Sequence, residues 1–215
     1  MSSQTTRRAQ ATSRASTRRP APAQRPRGAA RREALLEAAL QIVAEVGPDA
    51  VTHRRVAEEA GLPLASTTYW FDSKEHLLTQ AMELAAERDT ARLLEAAASF
   101  ASSGGDPLDA AVAAIVEPPD AARQSPRSSL TATYALLVEA ARRPALREVA
   151  RRWTEAYLLT LGRLLEQAGS RRPREDAELL LSAADGLLIE ELSMGGSSDL
   201  RPRLRRLANA LVVSP

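Results

Sequence analysis

The sequence predicts an all-α fold, and three observations carry that expectation. Apolar residues recur at helical spacing along most of the chain, strand-period alternation appears nowhere, and Gly and Pro divide the apolar stretches into helix-sized pieces. With 215 residues, 44% of them apolar, the chain can bury a sizeable core as one helical domain or two unequal ones.

From Met1 to about Gly28 the composition is Ser, Thr, Ala, Pro, Gln and Arg, with Pro20, Pro22 and Pro26 and almost no large apolar residue. Such a stretch buries too little surface to fold alone, so residues 1–28 read as a disordered, Arg-rich arm. Ala29 to Val46 then sets Leu36, Ala39 or Leu40, Val43 and Val46 on one helical face and stops at Gly47-Pro48. Thr52 is a good N-cap for a second, shorter helix from His53 to Ala60, ended by Gly61. Pro63 suits the first turn of a third helix to Trp70, whose Thr67, Thr68 and Tyr69 have modest propensity and need packing to hold them. Asp72 or Ser73 caps a fourth, Asp72 with Glu75 having the form of a capping box. Its apolar side, Leu77, Leu78, Ala81, Leu84 and Ala85, persists to about Phe100.

Ser102-Ser103-Gly104-Gly105 breaks the chain, and Asp106-Pro107 starts a helix to about Glu117 that Pro118-Pro119 ends. Residues 120–127 read as loop or a short helix. Ser128 to Arg143 follows, with Leu130, Tyr134, Leu137 and Val138 inward. Pro144 opens a long helix to Ala168 carrying Leu146, Val149, Trp153, Tyr157, Leu161, Leu164 and Leu165. Arg174 to Met194 has an unusually broad apolar surface, including Leu179, Leu180, Leu187, Leu188 and Leu192, and a last helix runs from Asp199 or Leu200 to Val213.

Composition narrows the function. Cysteine is absent, which excludes disulfides, thiolate metal sites and cysteine nucleophiles. No apolar run approaches the roughly 18 to 20 residues that cross a bilayer, and the arm lacks the apolar core of a signal peptide. A soluble, cytoplasmic protein with no membrane partner is expected. The two histidines, His53 and His76, stand without any HExxH, GxSxG or GxGxxG arrangement, so no catalytic residues, metal or cofactor are expected.

Charge is unevenly spread. Met1 to Arg32 carries nine Arg and no acid; removing those from the 29 basic residues leaves 20 against 27 acids, about −7 for the rest. A basic arm on an acidic body suits a polyanionic partner. Three short helices between Ala29 and Trp70, with a tight turn at Gly61, have the layout of a helix-turn-helix. Val56, Ala57 and Ala60 are small enough for the second helix to pack closely, leaving the third partly exposed and narrow enough for a DNA major groove.

The run Val51-Thr52-His53-Arg54-Arg55-Val56-Ala57-Glu58-Glu59-Ala60-Gly61 is followed by Thr68-Tyr69-Trp70-Phe71-Asp72-Ser73-Lys74-Glu75-His76-Leu77-Leu78. Together they strongly resemble the DNA-binding domain of TetR-family transcriptional regulators. The resemblance covers roughly Arg31 to Ala85 in detail and, beyond that, only helical layout and length. It implies a DNA-binding domain over residues 29–76, a regulatory and dimerisation domain over 77–215, a homodimer, a double-stranded DNA operator and a small-molecule ligand.

By position in the motif, the resemblance implies DNA contacts from Thr52, His53 and Arg54, with Arg54 suited to bidentate reading of guanine. It places Leu64, Ala65, Ser66, Thr68, Tyr69 and Trp70 on the recognition helix, and Lys74, the chain's lone lysine, against a phosphate. Thr68 stands where members usually carry Tyr, so one phosphate-reaching phenol is missing. Leu64 and Ala65 suit thymine methyls but donate no hydrogen bond. Phe71 belongs to the core.

Between Glu33 and His76, eight acids face only Arg54, Arg55 and Lys74, about −5 in all. Bulk charge there does not favour phosphate, so Arg25, Arg27, Arg31 and Arg32 are expected to supply much of the affinity, through the adjacent minor groove. In the C-terminal half, Phe100, Tyr134, Trp153 and Tyr157 either line an apolar ligand cavity or fill core. Glu139 reads as an exposed helix edge, and Asp185-Gly186 as close helix packing with one satisfied polar group. The helices 145–168 and 174–194 are the candidate dimer interface, a four-helix bundle between subunits. A helical protein-binding adaptor that has lost DNA affinity is the alternative.

Overall fold

The computed structural model describes residues 24–116, 126–195 and 199–213; side chains before Gly28 lie outside that description. Nine α-helices occur among the described residues. The first, α1 (Gln24–Val46), ends at Gly47, whose φ of 88° lets the chain turn into a short 3-10 segment, Pro48–Ala50. The sequence places the start of this helix at Ala29, but Gln24 to Gly28 are helical too. Part of the expected arm is therefore the first turn of α1, and Arg25 and Arg27 stand on it. The rest of the arm, residues 1–23, falls outside the described chain.

Thr52 caps α2 (His53–Glu59), its Oγ1 accepting from the Arg55 N–H at 3.1 Å. The helix closes with Leu62 N–H on the Ala57 carbonyl at 2.9 Å and Gly61 N–H on that of Glu58 at 3.1 Å. That paired closure needs Gly61 at its φ of 63°. It turns the chain directly into α3 (Leu64–Trp70). Ser73, not Asp72, then caps α4 (Lys74–Ser103), accepting from the His76 N–H at 3.1 Å. The expected Asp72–Glu75 box does not form, because the cap sits one residue later; His76 Nδ1 instead turns back to the Asp72 N–H at 3.4 Å.

Beyond Gly104 come α5 (Pro107–Val116), α6 (Pro126–Glu139), α7 (Pro144–Gln167), α8 (Pro173–Met194) and α9 (Arg201–Val213). Pro at the first position of α5, α6, α7 and α8 fixes φ where no intrahelical N–H bond is lost. Most of the segment expected as loop, residues 120–125, lies outside the described residues.

Two apolar cores share α4 and α7. One gathers Leu35, Leu36, Ile42 and Val43 of α1 with Val56, Phe71, Leu77, Met82, Leu136 and Trp153. The other joins Leu93, α5, Leu158 to Leu165, Leu180 and Leu204. Tyr157 packs against both. Phe71 is core, as the sequence requires. Val46 and Val138 are not: Val138 is 70% exposed, because α6 turns Ala132, Leu136 and Ala140 toward α1 instead. The expected boundary after residue 76 falls inside α4, so a single 30-residue helix links the N-terminal unit to the rest.

Candidate nucleic-acid interface

Thr67 fixes the angle between α2 and α3. It is fully buried, and its hydroxyl donates to the carbonyls of Leu64 at 2.8 Å and His53 at 3.2 Å. With that side of α3 locked, Leu64, Ala65, Thr68 and Tyr69 face outward as one contiguous strip, and Tyr69 is 77% exposed. Ser66 is half-buried. Trp70 meets Tyr69 edge-on, centroids 5.0 Å apart, while its ring lies 3.7 Å from where a Cβ on Gly28 would sit. The two adjacent rings thus divide: Tyr69 projects and Trp70 braces α3 against α1.

Around this strip the other expected residues differ in freedom. Arg54 is exposed and donates to Glu58 at 2.9 Å, a bond that raises its pKa. His53 is half-buried with Nδ1 enclosed. Lys74 gives one proton to the Asp49 carbonyl at 2.8 Å, which holds its ammonium beside the 3-10 segment with donors to spare. Arg31 is exposed, whereas half-buried Arg32 donates to Gln80 of α4 and so serves the joint between helices. Two of the eight acids are paired from outside the counted stretch: Arg88 of α4, twelve residues past His76, meets Glu33 at 2.5 Å and Glu37 at 2.8 Å.

The C-terminal half holds a polar cluster that sequence reading reached only in part. Buried Asp89 accepts from Trp153 Nε1 at 3.0 Å and Tyr157 OH at 2.6 Å on one oxygen. Its other oxygen accepts from Arg92 Nε at 3.1 Å and Nη2 at 2.9 Å. Burial works against the charge on Arg92, but Tyr157 and Asp89 outweigh it and raise the pKa. Burial likewise drives the Tyr134 and Tyr157 phenols well above their ordinary range. Tyr134 donates to Asp185 at 3.0 Å, and burial lifts that carboxyl's pKa.

Of the four candidate rings, Trp153 and Tyr157 thus meet at Asp89, and Tyr134 is near enough to feel its charge. Phe100 is not with them. It sits eleven residues beyond Asp89 on α4, about 16 Å along the helix, and packs under Gly105 in the second core. Asp89 and Arg92 were missed, although a charged pair three residues apart, just before Leu93, was the available signal. Two further readings need correction. Glu139 is buried beside Arg143, which donates to it at 2.7 Å. Gly186 packs against nothing, since a Cβ there would meet no atom within 4 Å, while Asp185 does have its partner.

Residues 35–81 match the family described as bacterial regulatory proteins, tetR family, and residues 104–214 match the Tetracyclin repressor-like C-terminal domain. The chain belongs to the TetR family. TetR regulators are transcription factors that bind DNA through the helix-turn-helix, not enzymes. The HTH-type transcriptional regulator PksA of Bacillus subtilis (strain 168) is 34% identical over 67 residues, covering 31% of this chain and a third (33%) of that protein. A transcriptional regulator from Rhodococcus sp. Rha1 superposes with a TM-score of 0.73 at 25% identity, over 86% of this chain and 99% of its own. A TetR-family member from Streptomyces coelicolor A3 gives 0.68 at 29%, with the same coverage. The multidrug binding protein EbrR, solved in complex with imidazole, gives 0.64 at 30% over 86% of this chain and 96% of its own. No helix among the described residues of this TetR-family chain is long and apolar enough to cross a membrane.

Proposed function

We propose that this TetR-family protein is a homodimeric repressor that leaves a pseudo-palindromic operator when a small, partly apolar molecule binds its C-terminal domain. The observation that carries the DNA half is the α3 strip: Leu64, Ala65, Thr68 and Tyr69 face outward from a helix whose other side Thr67 locks. Arg54 joins that strip as the base-reading donor, and Lys74, Arg31, Arg25 and Arg27 hold phosphates. Paired α3 helices then occupy successive major grooves about 34 to 36 Å apart.

Dimerisation is assigned chiefly to α8. Its Leu179, Ser182, Gly186, Ile189 and Ser193 form an exposed row at helical spacing. By contrast, α7 spends its apolar side within the protomer, between α4 and α8. The effector site is assigned to the cluster of Asp89, Tyr134, Trp153, Tyr157 and Asp185. EbrR, solved with imidazole and with ethidium, supports a small-molecule site in this fold. Coupling between effector and operator of about 1 to 3 kcal/mol is expected.

Selection of bound sequences from random duplex DNA, with sedimentation of the complex, tests the reading. Enrichment of a two-fold symmetric site bound by a dimer supports it. A monomer indifferent to every duplex at low salt overturns it in favour of the protein-binding adaptor.

A further inference from the structure

One buried guanidinium nitrogen on α4 has no acceptor among the described residues, and the acceptors that the other nitrogens of the same side chain reach are already engaged. Arg92 spends Nε and Nη2 on Asp89, the Ala114 carbonyl at 2.9 Å and the Tyr157 oxygen at 2.9 Å. Its Nη1 is enclosed without a partner among the described residues. Both oxygens of Asp89 already take two donors each, and the Tyr157 proton is given to Asp89. The acceptors that Nε and Nη2 reach are therefore occupied, and Nη1 keeps two N–H bonds for a further acceptor, which a buried charged donor strongly favours filling.

The cluster's charge limits what fits there. Arg92 and Asp89 neutralise one another, and Tyr134, which donates to Asp185 of α8, is near enough to feel the charge of Asp89 as well. A carboxylate on Nη1 would add a second negative charge to a guanidinium that Asp89 already neutralises, and a cation there would face the guanidinium directly. An uncharged oxygen does neither. Trp153 and Tyr157 of α7 close over Asp89 and Arg92, and the next residue of α4, Leu93, belongs to the second apolar core.

We propose that Arg92 Nη1 determines effector specificity by donating to the uncharged carbonyl oxygen of an otherwise apolar ligand. This rests on the ligand-responsive reading above and adds the chemical class of the ligand.

The test uses the full-length chain and matched probes: acetophenone against ethylbenzene, 9-fluorenone against fluorene, and benzoate as a charged acceptor. Calorimetric titration is expected to show at least one ketone binding about tenfold or more tighter than its hydrocarbon, with benzoate weaker than acetophenone. In Arg92→Lys the ketone preference is lost, and in Tyr157→Phe it persists. A crystal grown with the bound ketone places its oxygen within hydrogen-bond distance of Nη1. Where Arg92→Lys does not fold, the wild-type ratio and that crystal decide.

Equal binding of ketone and hydrocarbon, stronger binding of benzoate, no binding by any pair, or a water on Nη1 with the ketone elsewhere overturns the proposal. Loss of preference in Tyr157→Phe with retention in Arg92→Lys does so too, assigning the contact to the phenol. Release of DNA by the hydrocarbons as readily as by the ketones would leave the repressor reading standing while removing Arg92 from it.

Discussion

Arg152 of α7 donates to Glu83 of α4 at 3.1 Å. Glu83 also accepts from Gln80, and Gln80 accepts from Arg32 of α1. A line of hydrogen bonds thus leaves α7 one residue from Trp153, crosses α4 and ends on the first helix of the DNA-binding unit. Exposed pairs of this kind contribute only about 0 to 1 kcal/mol each, so their weight is positional. They tie the register of α4 to α1 on the side where Arg88 makes the same connection to Glu33 and Glu37.

That line separates two neighbouring arginines. Arg31 is exposed, whereas Arg32 is held by Gln80. Arg31→Ala should therefore lower the slope of log affinity against log salt by about one, as loss of a phosphate contact does, and Arg32→Ala should leave the slope nearly unchanged. Filter binding of the operator duplex from low to moderate salt distinguishes them; equal slope changes would return Arg32 to the DNA surface.

Thr67→Val keeps the shape of a buried side chain and deletes the hydroxyl that joins α3 to the His53 carbonyl. The loss of that bond should cost about 1 to 2 kcal/mol. Urea unfolding should show a lower midpoint at unchanged m, with weakened operator binding because the angle of α3 loosens. An unmoved midpoint would deny the hydroxyl its structural role.

Glu58 holds Arg54 and brings a negative charge to the DNA side of α2. Glu58→Gln should tighten operator binding several-fold at low salt, and the gain should fade as salt rises. Arg54→Ala should cost about 1 to 3 kcal/mol on the preferred site and relax specificity at one base pair. If Arg54→Ala instead weakened all duplexes equally, the residue would be a phosphate contact.

Helix existence and order were legible because period, caps and Pro or Gly stops agreed along most of the chain. What failed has a common cause in partners distant in sequence. The pattern of its own helix points Val138 inward, but α1 selects the face with Ala132 and Leu136. The count of charges over residues 33–76 stands, but it cannot show that Arg88, beyond that stretch, folds back onto Glu33 and Glu37. Beyond their spacing, nothing in the local pattern of α4 marks Asp89 and Arg92, because what encloses them, Trp153 and Tyr157, arrives from α7 more than sixty residues away.

Asp185 gives the fold a pH dependence of known sign. Burial raises its pKa above the ordinary 3.8, and the Tyr134 hydrogen bond opposes that only in part. Between the two values the folded chain keeps a proton that the unfolded chain releases, so this group lowers stability as pH rises through that window. Asp185→Asn retains an acceptor for Tyr134 and should melt higher than wild type at about pH 7.5, with the difference shrinking toward about pH 4. A difference that grew on acidification would reverse the assignment.

Gly186 separates a helix defect from an interface. It lies exposed within α8, and no atom of the protomer would obstruct a Cβ there. For an isolated chain, Gly186→Ala should stabilise α8 by roughly 0.5 to 1 kcal/mol, since glycine carries an entropy cost in a helix, and even Gly186→Trp should fold. If a second subunit lies against the row from Leu179 to Ser193, a large ring at its centre holds the two α8 helices apart. Gly186→Trp should then sediment as a folded monomer and lose operator affinity, because one α3 alone cannot span both half-sites. A Gly186→Trp protein that remained dimeric would move the interface off this face of α8.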